Sequence, residues 1–319
     1  MASLKIERLH LRELRAIRRL DLPEDGLGWG GVFPDTVVVG GGNGSGKTTL
    51  LNWIVTAVGA LAGRASSDRP LEGRLELAVG PRTFTCVGGT GEYVAEAVRT
   101  GSGDSMVIDR EGLSPLDVEF PPASGKGPRV LFVPSPRSLD FPNSQLKTAG
   151  LLNHPADFIH RWRVPKSWSA SAEAQLYEAR WLDLNAKEEG RPADAVHFAR
   201  YADAFRSLIP GRTLTWRNGA LVVHVEGTDV HHGLDALSSG EKQVLLLLAD
   251  LLLHWAPGSL VLIDEPELHL HPSLQIRFFE ALQRWRAERG GQLWLATQST
   301  ELFGHAPVGT QLLLGAGSL

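Results

Sequence analysis

The sequence predicts an α/β fold organised around a phosphate-binding loop. Its parts are a mixed sheet with helices, an antiparallel β subdomain and a helical insertion. Three observations carry this. Gly41-Gly42-Asn43-Gly44-Ser45-Gly46-Lys47-Thr48 fits G-x-x-x-x-G-K-[ST] and stands between the strand-like run Thr36-Val37-Val38-Val39 and the helix-like run Thr49 to Val55. A second apolar run, Leu260-Val261-Leu262-Ile263, ends in Asp264-Glu265-Pro266. Between the two, short β-like runs give way to helical spacing and then return to an α/β pattern.

Taken in order, residues 4–11 alternate and predict a strand, followed by a Gly/Pro-rich loop over 23–34. The helix after the loop motif should end near Gly59 to Gly63, with a surface loop from Ala65 to Pro70. Arg74–Val79, Arg82–Val87, Met106–Asp109 and Leu116–Phe120 predict an antiparallel sheet layered on the nucleotide domain. Pro121 to Pro128 reads as a linker, and Val130–Val133 as a buried strand ending in Pro134-Ser135-Pro136-Arg137. Residues 138–210 carry helical spacing over Ser171–Lys187 and Ala193–Leu208. Leu214–Trp216 and Leu221–Val225, joined by Asn218-Gly219, predict a hairpin. Ser239–Trp255 and Leu274–Arg289 read as helices, Ser259–Ile263 and Gln292–Thr297 as strands. The resulting division is 1–136 for the first part of the core, 137–235 for the helical insertion and hairpin, and 236–319 for the second part.

The chemistry follows from residue types. Glycines let backbone N–H groups curl around phosphate oxygens, and the following helix N-terminus adds positive field. Lys47 would reach the β- and γ-phosphates, and the Thr48 hydroxyl would ligate Mg²⁺. Asp264 at a strand end would hold the same Mg²⁺, directly or through water. Glu265 beside it would orient or deprotonate an attacking water. Leu237-Ser238-Ser239-Gly240-Glu241-Lys242-Gln243 offers a Ser N-cap and, with exposed amides, an anion site.

Composition bounds the setting. The chain has 319 residues, 43% hydrophobic and 21% charged, enough for a sizeable core. A single cysteine, Cys86, excludes an internal disulfide. No apolar signal follows Met1, and the apolar stretch Val244 to Ala256 is broken by Asp250 and His254, so a cytoplasmic location away from the membrane is expected. A net charge of −4 argues against an all-over nucleic-acid footprint.

The order of loop motif, Leu237-Ser238-Ser239-Gly240-Glu241 and Ile263-Asp264-Glu265-Pro266 resembles an ABC-type ATPase head. Within that superfamily it looks like the SMC/RecF/OLD-like branch. Ser-Gly-Glu-Lys-Gln stands where transporters have Gly-Gly-Gln, Glu265-Pro266-Glu267-Leu268-His269-Leu270-His271-Pro272 is the form of OLD-like ATPases, and Leu9 to Ile17 resembles the branch's first strand. The fold class implied is an ABC-ATPase head whose helical insertion carries into the signature helix. The resemblance implies that Gly41, Asn43, Gly44, Ser45, Gly46, Lys47, Thr48 and Thr49 hold ATP and Mg²⁺, with Arg15 contacting the nucleotide. Leu14 replaces a neighbouring aromatic. Arg137 falls in the Q-loop segment, which has no glutamine here, and is assigned a γ-phosphate or partner-sensing role. Ser238, Ser239, Gly240 and Glu241 would close over ATP held by a second copy. His271 aligns with the D-loop aspartate. Glu265 is implied as catalytic base on the strand neighbouring the loop strand. Gln298 in Thr297-Gln298-Ser299 takes the place of the switch histidine; it can donate but cannot become charged, which predicts slow basal hydrolysis.

These implications assemble into a dimerising nucleotide switch: a homodimer through an ATP sandwich, open to higher oligomers, acting as regulatory ATPase of a bacterial anti-phage system. Read as given, the chain leaves no room for a nuclease after Thr300, so a nuclease or toxin effector is expected as a separate chain. Competing readings are a RecF-like repair ATPase on double-stranded DNA, a transporter ATPase subunit and an ATP-dependent scaffold. His160-Arg161-Trp162-Arg163-Val164-Pro165-Lys166-Ser167-Trp168, basic with interleaved aromatics, keeps nucleic acid open as a ligand, against packing on the core or a partner. His269 and His271 with His231-His232 lack a third clustered ligand, so no metal is assigned to them.

Overall fold

The computed structural model describes residues 3–23, 27, 29–61, 73–89, 92–99, 105–107, 127–135, 159–161, 168–190 and 197–315. The chain opens with a hairpin of β1 (Leu4–Leu14) and β2 (Ile17–Leu22). β3 (Thr36–Gly40) follows and leads through the glycine loop into α1 (Lys47–Leu61). β4 (Gly73–Val79), β5 (Arg82–Gly89), β6 (Glu92–Arg99) and β7 (Ser105–Val107) then extend the hairpin into one antiparallel sheet, ordered β2-β1-β4-β5-β6-β7.

β8 (Val130–Val133) and β9 (Ile159–Arg161) belong to a second sheet. α2 (Trp168–Glu188) and α3 (His197–Leu208) precede a small sheet of β10 (Arg212–Arg217), β11 (Ala220–Val225) and β12 (His231–His232). α4 (Ser239–His254), β13 (Leu260–Asp264), α5 (Pro272–Arg289), β14 (Gln292–Thr297), α6 (Thr300–His305) and β15 (Gln311–Leu313) complete the order. The second sheet runs β15-β3-β14-β13-β8-β9, and its pairs are parallel.

That parallel sheet is the middle layer. Its strands are short and apolar throughout because both faces are covered. Alternation sends Val37, Val39, Val130, Phe132, Leu260, Leu262 and Trp294 into a core shared with α1 and the antiparallel sheet. Val38, Leu131, Val133, Val261, Ile263, Leu293 and Leu295 face the other way, into a core shared with α2 to α6 and with β10 and β11. Gln292 ties the layers together. Its Oε1 accepts the Ile6 amide at 2.9 Å and the Trp294 indole N–H at 3.0 Å, while its Nε2 donates to the Pro34 carbonyl at 3.2 Å. These bonds explain a glutamine 1% exposed at the start of a core strand.

The structure departs from the expected elements in four places. β14 lies between β3 and β13, so Glu265 is not on the strand neighbouring the loop strand; the switch strand is interposed. β2, β6, β9 and β15 are strands that the sequence reading did not mark. The hairpin over 214–225 gains a third strand at His231–His232. The first helix of the insertion starts at Trp168, inside the basic aromatic stretch, of which His160 and Arg161 lie on β9. Arg137, Ala65 to Pro70, Leu116–Phe120 and residues 162–167 lie outside the described residues. Among the described residues, no helix is long and apolar enough to cross a membrane.

Candidate functional site

The site is built at the C-terminal ends of β3, β14 and β13, where ligands bind in open parallel sheets. Positive φ at Gly41, Gly44 and Gly46 bends the loop after β3. A Cβ on Gly41 would stand 2.4 Å from the Leu314 carbonyl oxygen, so the loop's first corner is closed by the chain beyond β15. Gly42 and Gly44 have nothing within 4 Å of a would-be Cβ and leave the cradle open. Asn43 is exposed at its tip, and Ser45 donates its amide to the Gly42 carbonyl at 3.3 Å.

Lys47 is 6% exposed, and its ammonium lies against the cradle. Its Nζ donates to the carbonyls of Gly41 at 2.7 Å and Gly42 at 2.9 Å. Thr48 and Thr49 stand in the first turn of α1. The Thr48 hydroxyl donates to Oδ2 of Asp264 at 2.8 Å, joining the loop to the end of β13 across β14. Asp264 is fully buried. A hydroxyl and a carboxylate held together beside a cradle of amides form the hard-oxygen donor set that Mg²⁺ takes, so these residues fit a magnesium nucleotide.

Arg15 sits exposed on the β1–β2 turn with φ 53°. The same turn reaches the loop, since a Cβ on Gly46 would meet Ile17 Cγ1 at 2.9 Å and Ala16 Cβ at 3.8 Å. Leu14 is buried in the core and is not available to stack on a base.

Glu265 follows β13 with φ 50° and donates its amide to the Ala296 carbonyl at 2.8 Å. The Gln298 side-chain amide donates to Oε1 of Glu265. The base and switch candidates are therefore in direct contact, and the interposed β14 makes that contact possible. Around them is a cleft of about 430 Å³ that Glu265, Glu267, His269, Gln298 and Glu301 help to line.

Two residues without an assigned role organise this end of the sheet. Glu267 accepts the Gln298 amide at 2.7 Å and the Ser299 amide at 3.2 Å, both at Oε1. Gln275, 9% exposed on α5, accepts the Ser299 hydroxyl at 2.5 Å and donates to the Leu270 carbonyl at 2.9 Å. Glu267 had one signal in the sequence, its place two residues after Glu265; Gln275 had none.

The signature segment lies elsewhere on the same molecule. Ser238 caps α4 in a capping box. Its Oγ accepts the Glu241 amide at 3.4 Å, and the Glu241 carboxylate accepts the Ser238 amide at 2.9 Å. Arg212 also pairs with Glu241 at 2.8 Å, so that carboxylate is engaged within its own chain. Ser238 and Ser239 are exposed. Gly240 is buried, and a Cβ there would stand 2.9 Å from the His269 carbonyl oxygen. His271 is exposed as the N-cap of α5, with Nδ1 and the Ser273 hydroxyl 3.1 Å apart. His231 stacks on His224 with centroids 4.6 Å apart, and His232 lies 2.9 Å from Arg212.

With this geometry in place, comparison with known proteins becomes informative. The model of the family described as "AAA domain, putative AbiEii toxin, Type IV TA system" matches residues 136–304, more than half of the chain. The chain belongs to this family. The matched span holds the signature, Asp264-Glu265 and Gln298 segments, while the glycine loop precedes it. No curated protein matches the sequence. Among solved structures, an SMC head bound to the C-winged helix domain of ScpA has a TM-score of 0.50 at 15% identity, covering 94% of this chain and 91% of that one. The SMC head domain from Thermotoga maritima gives 0.48 at 15% identity, over 98% and 94%. An Smc head with an extended coiled coil bound to the C-terminal domain of ScpA derived from Pyrococcus furiosus gives 0.47 at 15%, over 95% and 92%. The first likeness is one of fold. The chain is a P-loop ATPase by family, and its fold is that of an ABC-ATPase head, similar to an SMC head.

Proposed function

We propose that this ATPase is a dimerising nucleotide switch that binds and slowly hydrolyses ATP and thereby governs a separate effector chain. The observation that carries the reading is the Thr48–Asp264 bond at 2.8 Å, with Lys47 against the cradle and Gln298 on Glu265. Gly41 to Thr49 would bind the phosphates, Lys47 leaving its loop carbonyls for the β- and γ-oxygens. Thr48 and Asp264 would hold Mg²⁺, which when bound offsets phosphate charge. Glu265 would orient the attacking water and accept its proton, and Gln298 would keep the Glu265 carboxylate aimed. An amide cannot carry a proton away as an imidazole can, so turnover should lie well below the ~10 s⁻¹ of a median enzyme.

Ser238, Ser239 and Gly240 belong to this reading as the lid over ATP in a second copy, with His271 at the joint. The exposure of Ser238 and Ser239, and the engagement of Glu241 within its own chain, support a preformed surface awaiting a partner. Binding of the γ-phosphate would shift the population towards the dimer by its differential affinity for that state. The family's description, a "putative AbiEii toxin" of a type IV toxin–antitoxin system, supports a bacterial defence setting, in which the separate effector is read as a toxin or nuclease. The SMC head with a bound ScpA domain offers a pattern for a partner chain docked on such a head.

The test is solution mass and phosphate release for wild type and Glu265→Gln, with and without double-stranded DNA. Wild-type turnover of ATP, and an ATP-dependent rise in mass that persists in Glu265→Gln, are expected. A variant that stays monomeric with ATP overturns the switch, and strong stimulation by DNA would replace the effector reading with a repair one.

A further inference from the structure

Glu267 carries no role in the reading above, yet its carboxylate sits where the site is least supported by regular structure. β13 ends at Asp264, and the chain then makes two tight turns, Leu268 N–H to the Glu265 carbonyl at 3.1 Å and Leu270 N–H to the Glu267 carbonyl at 2.8 Å. β14 ends at Thr297 and α6 begins at Thr300. The amides of Gln298 and Ser299 fall in the gap, beyond the ladder and before the helix; that of Ser299 also donates to the Thr297 hydroxyl at 3.0 Å, while that of Gln298 needs an outside acceptor. Oε1 of Glu267 accepts both, at 2.7 and 3.2 Å. Its Oε2 is buried and has no hydrogen-bond partner among the described residues, so these two amides are what the carboxylate holds there. Bonds from amides to a charged acceptor are roughly twice as strong as neutral ones.

We propose that Glu267 is the positioning residue of this site: by holding the backbone of Gln298 and Ser299, it keeps the Gln298 side chain on Glu265. The proposal rests on the roles given to Glu265 and Gln298 above. Residue 267 stands on the turn that follows the base, and the switch follows the neighbouring strand. One carboxylate therefore fixes the distance between the two strand ends. A backbone shift of about 1 Å in a supporting segment costs as much as 10²-fold in rate when it moves a reacting group.

The test uses the full chain and two variants. Glu267→Gln keeps an oxygen that can accept both amides, whereas Glu267→Met keeps the bulk and removes the acceptor. In Glu267→Met, amide exchange at Gln298 should speed up about tenfold or more, the loss of roughly one charge-assisted bond, and at Ser299, which keeps the Thr297 hydroxyl, by less. Turnover should fall about tenfold, with KM for ATP within about threefold, and Glu267→Gln should recover most of both. In a Gln298→Ala background, Glu267→Met should lower turnover by less than about twofold, because it acts through Gln298. Unchanged exchange at both amides, or an equal fall in turnover with and without Gln298, overturns the proposal. If wild type proves not to hydrolyse ATP, the function proposed above fails while the exchange arm still decides this one. Should Glu267→Met not fold, wild type itself serves. Its Gln298 amide should exchange about tenfold or more slowly than an unprotected amide of the same local sequence, and exchange at the unprotected rate refutes the contact.

Discussion

Gln298→Ala is the perturbation that isolates the switch contact. It removes the side-chain amide that donates to Glu265 and leaves the two backbone bonds to Glu267 in place. A hydrogen bond to a charged group contributes about 1.5–3 kcal/mol, and each ~1.4 kcal/mol is tenfold in rate. Glu265 is half-buried and Gln298 exposed in the single copy, so the lower end applies there; the upper end applies once a second copy excludes water. The expected fall in turnover is therefore about 10- to 100-fold. ATP affinity should change by less than about threefold, since Lys47, Thr48 and Asp264 are untouched. Phosphate release under single-turnover conditions gives the first quantity, and titration with a fluorescent ATP analogue the second. Turnover within a factor of two of wild type would refute the assignment of Gln298. A matching loss of affinity would show that the residue supports the cradle instead.

Two further outcomes follow from other parts of the molecule. Thr48→Val removes the hydroxyl on Asp264 and should abolish most of the stabilisation by MgATP, which for wild type at a hundredfold excess over Kd is about 2.7 kcal/mol; thermal melts with and without Mg²⁺ measure it, and full retention of the shift contradicts the metal assignment. Burial pushes the Cys86 thiol up to about 12, so its thiolate fraction at pH 8 is about 10⁻⁴ and alkylation of the native protein should be slow. The thiol should react freely once denaturant exposes it, and rapid native labelling would mean that β5 is not packed as described.

The parts legible in the sequence are those whose cause is local. The glycine loop is defined by eight consecutive residues and their flanks. The capping box at Ser238 and Glu241 spans one helical turn. The buried strands Leu260–Asp264 and Gln292–Thr297 announce themselves as apolar runs because both faces of the sheet are covered. What stayed hidden depends on partners distant in the chain. No local pattern says that β14 inserts between β3 and β13, although this brings Gln298 to Glu265. β9 and β15 are three residues long and are held as strands by their parallel neighbours. Glu267 meets its amides 31 and 32 positions later, and Gln275 meets Ser299 24 positions later. A surface carboxylate and a helical glutamine look alike in sequence whether or not such a bond exists.

The composite nature of the site is the central claim, and complementation between two disabled copies tests it most directly. Lys47→Ala empties the cradle of one copy, and Ser239→Arg blocks the lid of the other. If each lid closes on the partner's cradle, an equimolar mixture contains mixed dimers with one intact site. Turnover should then recover to roughly a quarter of wild type, given random pairing and independent sites. If the lid served its own cradle, neither copy would hold an intact site, and the mixture would stay as inactive as its components.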